Sequence, residues 1–344
     1  MPRVSLRQLL LPLLLLGATV AGAQALRIRA SLVRTLAPHT RELREVAFST
    51  NSQWLATSSV DGDVKLWRVA DGKLLRTMRH PAGVTSVRFA PGDDVIVTGA
   101  YDGIVRVWRT ADGKLLRVLR GHEGTVWSVA VRPDGQQIAT SGEDATVRLW
   151  PLNGGGPAKI LRGHTLNVWA VAYAPNGRLL VSGSFDRTVK VWRTDNGALL
   201  RTMTDARQAV VGVAFSSDGQ TIAGGSDDST VRLWRVTDGR LLRTLSGSEH
   251  VYSVAFSGDG HWLASAGRER GALGTLWKEM TGNHFRRSNA ATVRLWRVSD
   301  GALQQELAAH ADDVRYVAVS RDNRWLATSS EDRTVKLFRL AVSK

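Results

Sequence analysis

A four-residue string that ends in an aromatic anchor returns seven times. It reads VKLW at 64–67, VRVW at 105–108, VRLW at 147–150, VKVW at 189–192, VRLW at 231–234, VRLW at 293–296 and VKLF at 335–338. Successive anchors lie 41, 42, 42, 42, 62 and 42 residues apart. A fixed period in the forties means that one supersecondary unit is copied along the chain. Few folds tolerate that constraint, and those that do stack the copies.

The unit between Leu115 and Trp150 shows what is copied. LLRVL (115–119) alternates as a short strand, and GHEG turns the chain. VWSVAV (126–131) is a second strand, Pro133-Asp134-Gly135 a turn, and QIATSG (137–142) a third strand. Glu143-Asp144-Ala145 turns again into TVRLW. Four short, β-branched strands make an antiparallel sheet suited to burial on both faces. A lone sheet cannot bury two faces, whereas seven arranged radially can. The expected fold is therefore all-β, a seven-bladed β-propeller of four-stranded antiparallel blades. An outer-strand sequence, LVRTL, also stands at Leu32–Leu36, ahead of the first three-strand unit, and none follows the last anchor. The N-terminal strand is expected to complete the C-terminal blade beside Val335–Phe338, which removes the open edge.

These residues resemble the WD-repeat family over about residues 31–340. In that family a His before the innermost strand, a Ser or Thr, an Asp in a tight turn and the Trp share a buried hydrogen-bond network. The resemblance assigns those places to His39, Asp61 and Trp67; His80, Asp102 and Trp108; His122, Asp144 and Trp150; His164, Asp186 and Trp192; Asp228 and Trp234; Trp296; and His310 and Asp332. The chain departs from the family at several points. Arg68, Arg109, Pro151, Arg193, Arg235 and Arg297 stand where the family has an Asp after the Trp. The fifth blade has Ala206 in place of His. The sixth has Gly247-Ser248 in that region and no turn Asp, so these two blades are expected to be less tightly tied.

Periodic Asp and His residues invite a catalytic or metal reading, but an active site is built once and a structural network once per blade. His250, His261 and His284 fall outside the pattern without the close spacing of a metal-ligand pair. There is no GxSxG, no HExxH and no phosphate-cradling glycine loop. With no cysteine, thiolate chemistry is excluded. The expectation is a non-enzyme with no catalytic residues, no metal and no cofactor.

Two features are not periodic. The 62-residue step places an insertion at 267–290, with five basic and two acidic residues and with Trp277, Phe285, Arg286 and Arg287. Insertions in repeat proteins commonly map to one binding face. The second feature is a set of positions that the resemblance points at the top rim of the channel. They include Arg44, Tyr101, Trp127, Trp169, Phe185, Tyr252 and Arg315. Aromatics with arginine are the types enriched at binding hot spots. A monomeric scaffold that binds a protein or peptide on this face is the leading expectation. A polyanion or cell-wall glycan binder is the alternative, since the formal charge is +15 and arginines recur in register in segments such as LLRTM and LLRVL. An enzyme in the central channel is a third class.

The first residues bear on compartment. Arg3 and Arg7 precede an apolar run, and Ala21-Gly22-Ala23 has the small-x-small pattern of a cleavage site. The 15 residues from Leu9 to Ala23 are short of the ~20 that a membrane helix needs. The reading is an export signal at 1–23, without stable membrane insertion, ahead of one domain at 24–344. That places the protein in a bacterial periplasm or the medium.

Overall fold

The computed structural model describes residues 26–37, 39–268 and 293–343. Among them, the strands form seven four-stranded antiparallel sheets. Blades I to VI occupy 43–79, 84–119, 126–161, 168–203, 210–246 and 250–307, each running from the inside of the ring outward. Blade VII takes three strands from 314–343 and its outermost strand from Arg27–Leu36. Leu36 pairs with Val335 and Leu32 with Phe338, so the N-terminal strand completes the C-terminal blade as the sequence leads one to expect. The pairing then continues as far as Arg27 with Ser343, past a register shift between Leu32 and Arg34. Ile28 and Ala30 on this extension are buried in the core between blades VI and VII.

The core is divided seven ways. Each hydrophobic cluster lies between two neighbouring blades, so the ring is held by its interfaces. The aromatic anchors explain why the repeat is needed. Trp108 of blade II packs with Leu66 and Met78 of blade I, and Trp192 of blade IV with Leu149 and Leu161 of blade III. Phe338 likewise packs blade VII on Trp262 and Leu295 of blade VI. No blade buries its own anchor without the blade before it. Truncating such a side chain costs about 3–5 kcal/mol.

The in-register arginines form a second tie on the outside. Arg34, Arg76, Arg117, Lys159, Arg201, Arg243 and Gln305 hold one position on the seven outermost strands. Each donates to a backbone carbonyl of the next blade. Examples are Arg76 Nη2 to Ala111 at 2.7 Å, Arg117 Nη1 to Pro151 at 2.9 Å and Arg243 Nη2 to Ser299 at 2.6 Å. Arg34, Lys159 and Arg201 reach Val69, Asp195 and Thr237. Gln305 closes the belt through both atoms of Ala30, at 2.7 and 3.1 Å. The arginines that replace the family's Asp also have partners. Arg68, Arg109, Arg193, Arg235 and Arg297 pair with Asp71, Asp112, Asp195, Asp238 and Asp300 of the following hairpin. Among the described residues no helix is long and apolar enough to cross a membrane.

Candidate functional site

In every blade the pairing of the innermost strand with its neighbour slips by one residue. The slip falls between Leu43 and Glu45, Val84 and Ser86, Val126 and Ser128, and Val168 and Ala170. It continues between Val210 and Gly212, Val251 and Ser253, and Val314 and Tyr316. The unpaired residues are Arg44, Thr85, Trp127, Trp169, Val211, Tyr252 and Arg315. A β-bulge frees a residue from the ladder and re-aims its side chain. All seven line one cavity of about 300 Å³ at one end of the channel. The bulge is periodic, but the residues placed on it are not.

The wall of this mouth has two unlike halves. Over blades II to IV it is aromatic. Tyr101 meets Trp127 edge-on at 5.8 Å, Trp127 meets Trp169 at 3.9 Å, and Trp169 stacks on Phe185 at 5.4 Å. Phe185 remains 39% exposed. The two indole nitrogens, Trp127 Nε1 and Trp169 Nε1, are buried with no hydrogen-bond partner. Leaving such a donor unsatisfied costs about 1–3 kcal/mol. Over blades V to VII the wall is charged. His250 Nδ1 lies 3.1 Å from Asp227, and Arg315 sits 4.3 Å over the Tyr252 ring while its Nε donates to Glu331 at 2.9 Å. Burial pushes the Tyr252 hydroxyl up to about 12. Asp312, Asp313 and Glu331 bring three carboxylates within 4.8 Å of one another. Arg315 and the Tyr252 hydroxyl, 3.4 Å from Asp313, offset that charge. Arg44 bridges the halves, 5.7 Å over Tyr101, with its Nε buried and without a partner.

The mouth has a floor. Inner-strand positions that elsewhere carry Ser86, Ser128, Ala170, Gly212 and Ser253 hold Glu45 in blade I and Tyr316 in blade VII. Two residues further along, six blades have alanine and blade II has Arg88. The three exceptions meet. Arg88 forms an ion pair with Glu45 and donates to the Tyr316 hydroxyl, and its guanidinium lies 5.2 Å over the Tyr316 ring. Glu45 also accepts from Val87 N at 2.9 Å. Glu45 and Tyr316 line the upper cavity, and Arg88 and Tyr316 line a second one, of about 500 Å³, at the other end. The trio thus lies where the two cavities meet. Sequence reasoning passed over this trio because it compared blades only at family positions. The signal was an arginine in a column of alanines.

The His, Asp and Trp residues assigned by resemblance lie between blades. In blade III His122 Nδ1 is 3.0 Å from Asp144 and Nε2 is 2.7 Å from Thr140, which also accepts from Trp150 at 2.9 Å. His39, Asp61, Thr57 and Trp67 repeat this in blade I, and His164, Asp186, Ser182 and Trp192 in blade IV. His310, Asp332 and Thr328 repeat it in blade VII. Burial lowers the pKa of His39, His164 and His310. Although burial raises them, Asp144, Asp186 and Asp332 are held well below the usual carboxylate range by bonds from the partner histidine and a threonine hydroxyl.

Blade II differs from the expectation. His80 bonds Thr98 at 2.9 Å and the Met78 carbonyl, while Asp102 pairs with Arg106 at 2.7 Å. Burial, reinforced by the Arg106 charge, lowers His80 to about 4. Blade V bonds its anchor by other means, and blade VI keeps the usual hydroxyl without the His and the Asp. Gly224 stands where a hydroxyl is needed, and Trp234 donates instead to Asp205 at 2.8 Å, while Asp228 takes Arg232. Trp296 finds Ser265 at 3.0 Å, and Ser248 accepts from Arg294 at 2.8 Å. Trp277, Phe285, Arg286 and Arg287 lie outside the described residues, as does most of the 267–290 insertion. Its described start, Gly267 and Arg268, ends a strand at the mouth, and Arg268 lines the cavity.

The WD domain, G-beta repeat family matches 30–68, 72–109, 113–151, 155–193, 197–235, 239–271 and 301–339. Each full match takes in the outermost strand of one blade, or most of it, and runs to the residue after the anchor of the next, the offset that lets the termini close the ring. The sixth match stops at 271, inside the 267–290 insertion. Propellers of this kind generally serve as non-catalytic scaffolds for protein interaction. With seven matched repeats spread over most of its length and seven blades in its ring, the chain belongs to the WD40-repeat family.

Proposed function

We propose that this protein is a non-enzymatic scaffold that captures a protein or peptide at the upper mouth of the channel. The observation that carries the reading is the contrast on the bulges. One backbone device is copied seven times, yet Trp127 and Trp169 on it join Tyr101 and Phe185 in an aromatic arc, while Arg315 on it joins Asp227, His250 and Glu331 in a charged one. Aromatic and arginine side chains around a desolvated pocket are the usual composition of binding hot spots. The features at 1–23 support export, so the partner is sought in the envelope or the medium. The polyanion alternative draws on the net charge, but each in-register arginine already donates to a carbonyl of a neighbouring blade. Affinity capture from the envelope fraction, with wild type and Trp169→Ala compared at rising salt, tests the reading. Capture that survives moderate salt and is lost in Trp169→Ala supports it. Capture that collapses with salt and ignores the substitution contradicts it.

A further inference from the structure

We infer that the upper mouth takes an acidic peptide segment with an aromatic or bulky apolar side chain beside its carboxylate. The inference rests on the proposed binding face and adds the chemistry of its occupant.

Three observations converge. The first concerns what the pocket lacks. The carboxylates at the mouth face cationic or basic groups: Glu45 pairs with Arg88, Glu331 with Arg315, and Asp227 Oδ1 lies 3.1 Å from His250 Nδ1. Of the buried lining atoms without a hydrogen bond four are donors, Arg44 Nε, Trp127 Nε1, Trp169 Nε1 and Arg268 Nε, and one is an acceptor, Asp227 Oδ1, which faces His250 Nδ1. A guest that satisfies the donors brings acceptors, and a carboxylate supplies the most in the least volume.

The second concerns the aromatic faces. Trp127 and Trp169 cover one another at 3.9 Å, and Phe185 covers Trp169. Arg44 and Arg315 lie over Tyr101 and Tyr252. Flat guests such as nucleobases or sugar rings need an open ring face, and cationic guests need a face not already taken by a guanidinium. What this arc presents is ring edges and the exposed side of Phe185, which suit an apolar side chain packing sideways.

The third is shape and field. The pocket, with Glu45 and Tyr316 of the trio in its lining, holds about 300 Å³, room for one or two side chains. The formal charge of +15 draws an acidic segment towards the ring. Arg44, at the junction of the two arcs, is positioned to meet the carboxylate while the neighbouring apolar group lies along Trp127 and Trp169.

Fluorescence anisotropy on the full-length protein near physiological salt tests this with three dye-labelled peptides of about ten residues. They alternate Phe with Asp, Phe with Lys, and Gly with Asp. The Phe-Asp peptide is expected to bind at least about tenfold tighter than either of the others. Arg44→Gln is expected to weaken it by about tenfold or more with an unchanged melting temperature, and Arg76→Gln on the outer belt to leave it unaltered. Equal binding of Phe-Asp and Gly-Asp overturns the inference in favour of bulk charge. Preference for Phe-Lys, no binding of any peptide, or indifference to Arg44→Gln also overturns it. Trp127→Ala separates the two levels. If it abolishes capture of the envelope partner while Arg44→Gln does not, the binding face stands and the acidic guest falls.

Discussion

The ring body and the channel wall are built from the same strands and follow opposite rules. In the body, one residue type recurs at each position. Six anchors are Trp, six of the seven belt positions are Arg or Lys, and each tie joins one blade to the next. On the wall, bulge position 127 and its equivalents hold Arg, Thr, Trp, Trp, Val, Tyr and Arg. Below them, Glu45, Arg88 and Tyr316 interrupt columns of small residues. Repetition marks what every blade needs to stand. Its interruption marks what the molecule needs only once. The difference teaches where to look for function in a repeat protein: at conserved backbone devices that carry unlike side chains.

Substitutions can break this contrast or sharpen it. The largest effect is expected from a chain that begins at Ala37. It loses the strand Arg27–Leu36, the buried Ile28, Ala30 and Leu36, and the Gln305–Ala30 clasp, and it bares the edge of blade VII. A drop in melting temperature of more than about 10 °C, with self-association by sedimentation, is expected. An unchanged melt and a monomer would show that the ring does not depend on closure.

Next come two tryptophans of equal size. Trp192→Ala, at 1% exposure in the body, is expected to cost about 3–5 kcal/mol in denaturant unfolding. Trp169→Ala, on the wall, removes an unsatisfied buried donor together with its packing. It is expected to cost less than half as much. Equal losses would erase the distinction between body and wall.

Acid should act on the body first. His80, lowered to about 4, stays neutral in the fold while an unfolded histidine takes up a proton near its ordinary value of ~6.5. The unfolded state therefore binds more protons in this window, and stability falls as pH drops through it. His80 alone contributes about 3 kcal/mol of that loss. His39, His164 and His310 act in the same direction. Below the ordinary carboxylate range, Asp144, Asp186 and Asp332 add a further loss, because the unfolded chain protonates first. Unfolding free energy measured against pH for wild type and His80→Gln checks this. A slope unchanged by the substitution would contradict it.

The smallest effect tests a turn. Arg187 follows Asp186 with φ at 68°, where blades I and II place Gly62 and Gly103. Arg187→Gly is expected to stabilise by about 0.5–1 kcal/mol, read from the denaturant midpoint.

The sequence carried the ring legibly because anchors, turns and strand patterns recur in register. Closure could be read from LVRTL standing alone at the N-terminus. The further pairing from Arg27 to Ser31 could not, since those residues follow no repeat template and are placed by the core of blades VI and VII. The mouth residues could be named from their columns, but the bulge that aims them is a property of pairing and leaves no composition signal. Asp205 was missed because its role depends on what Gly224 lacks. The arginine belt was read as a charged surface because side-chain bonds to carbonyls across blades have no pattern along one repeat.

The central claim is that partners dock at the upper mouth. Photo-crosslinking from single sites in the full-length protein tests it most directly. The crosslinker is placed at Val211 on a bulge, at Val319 by the opposite cavity and at Leu199 on an outer strand. Adducts with the captured partner are expected from Val211 alone. Adducts from Val319 or Leu199, with none from Val211, would contradict the account.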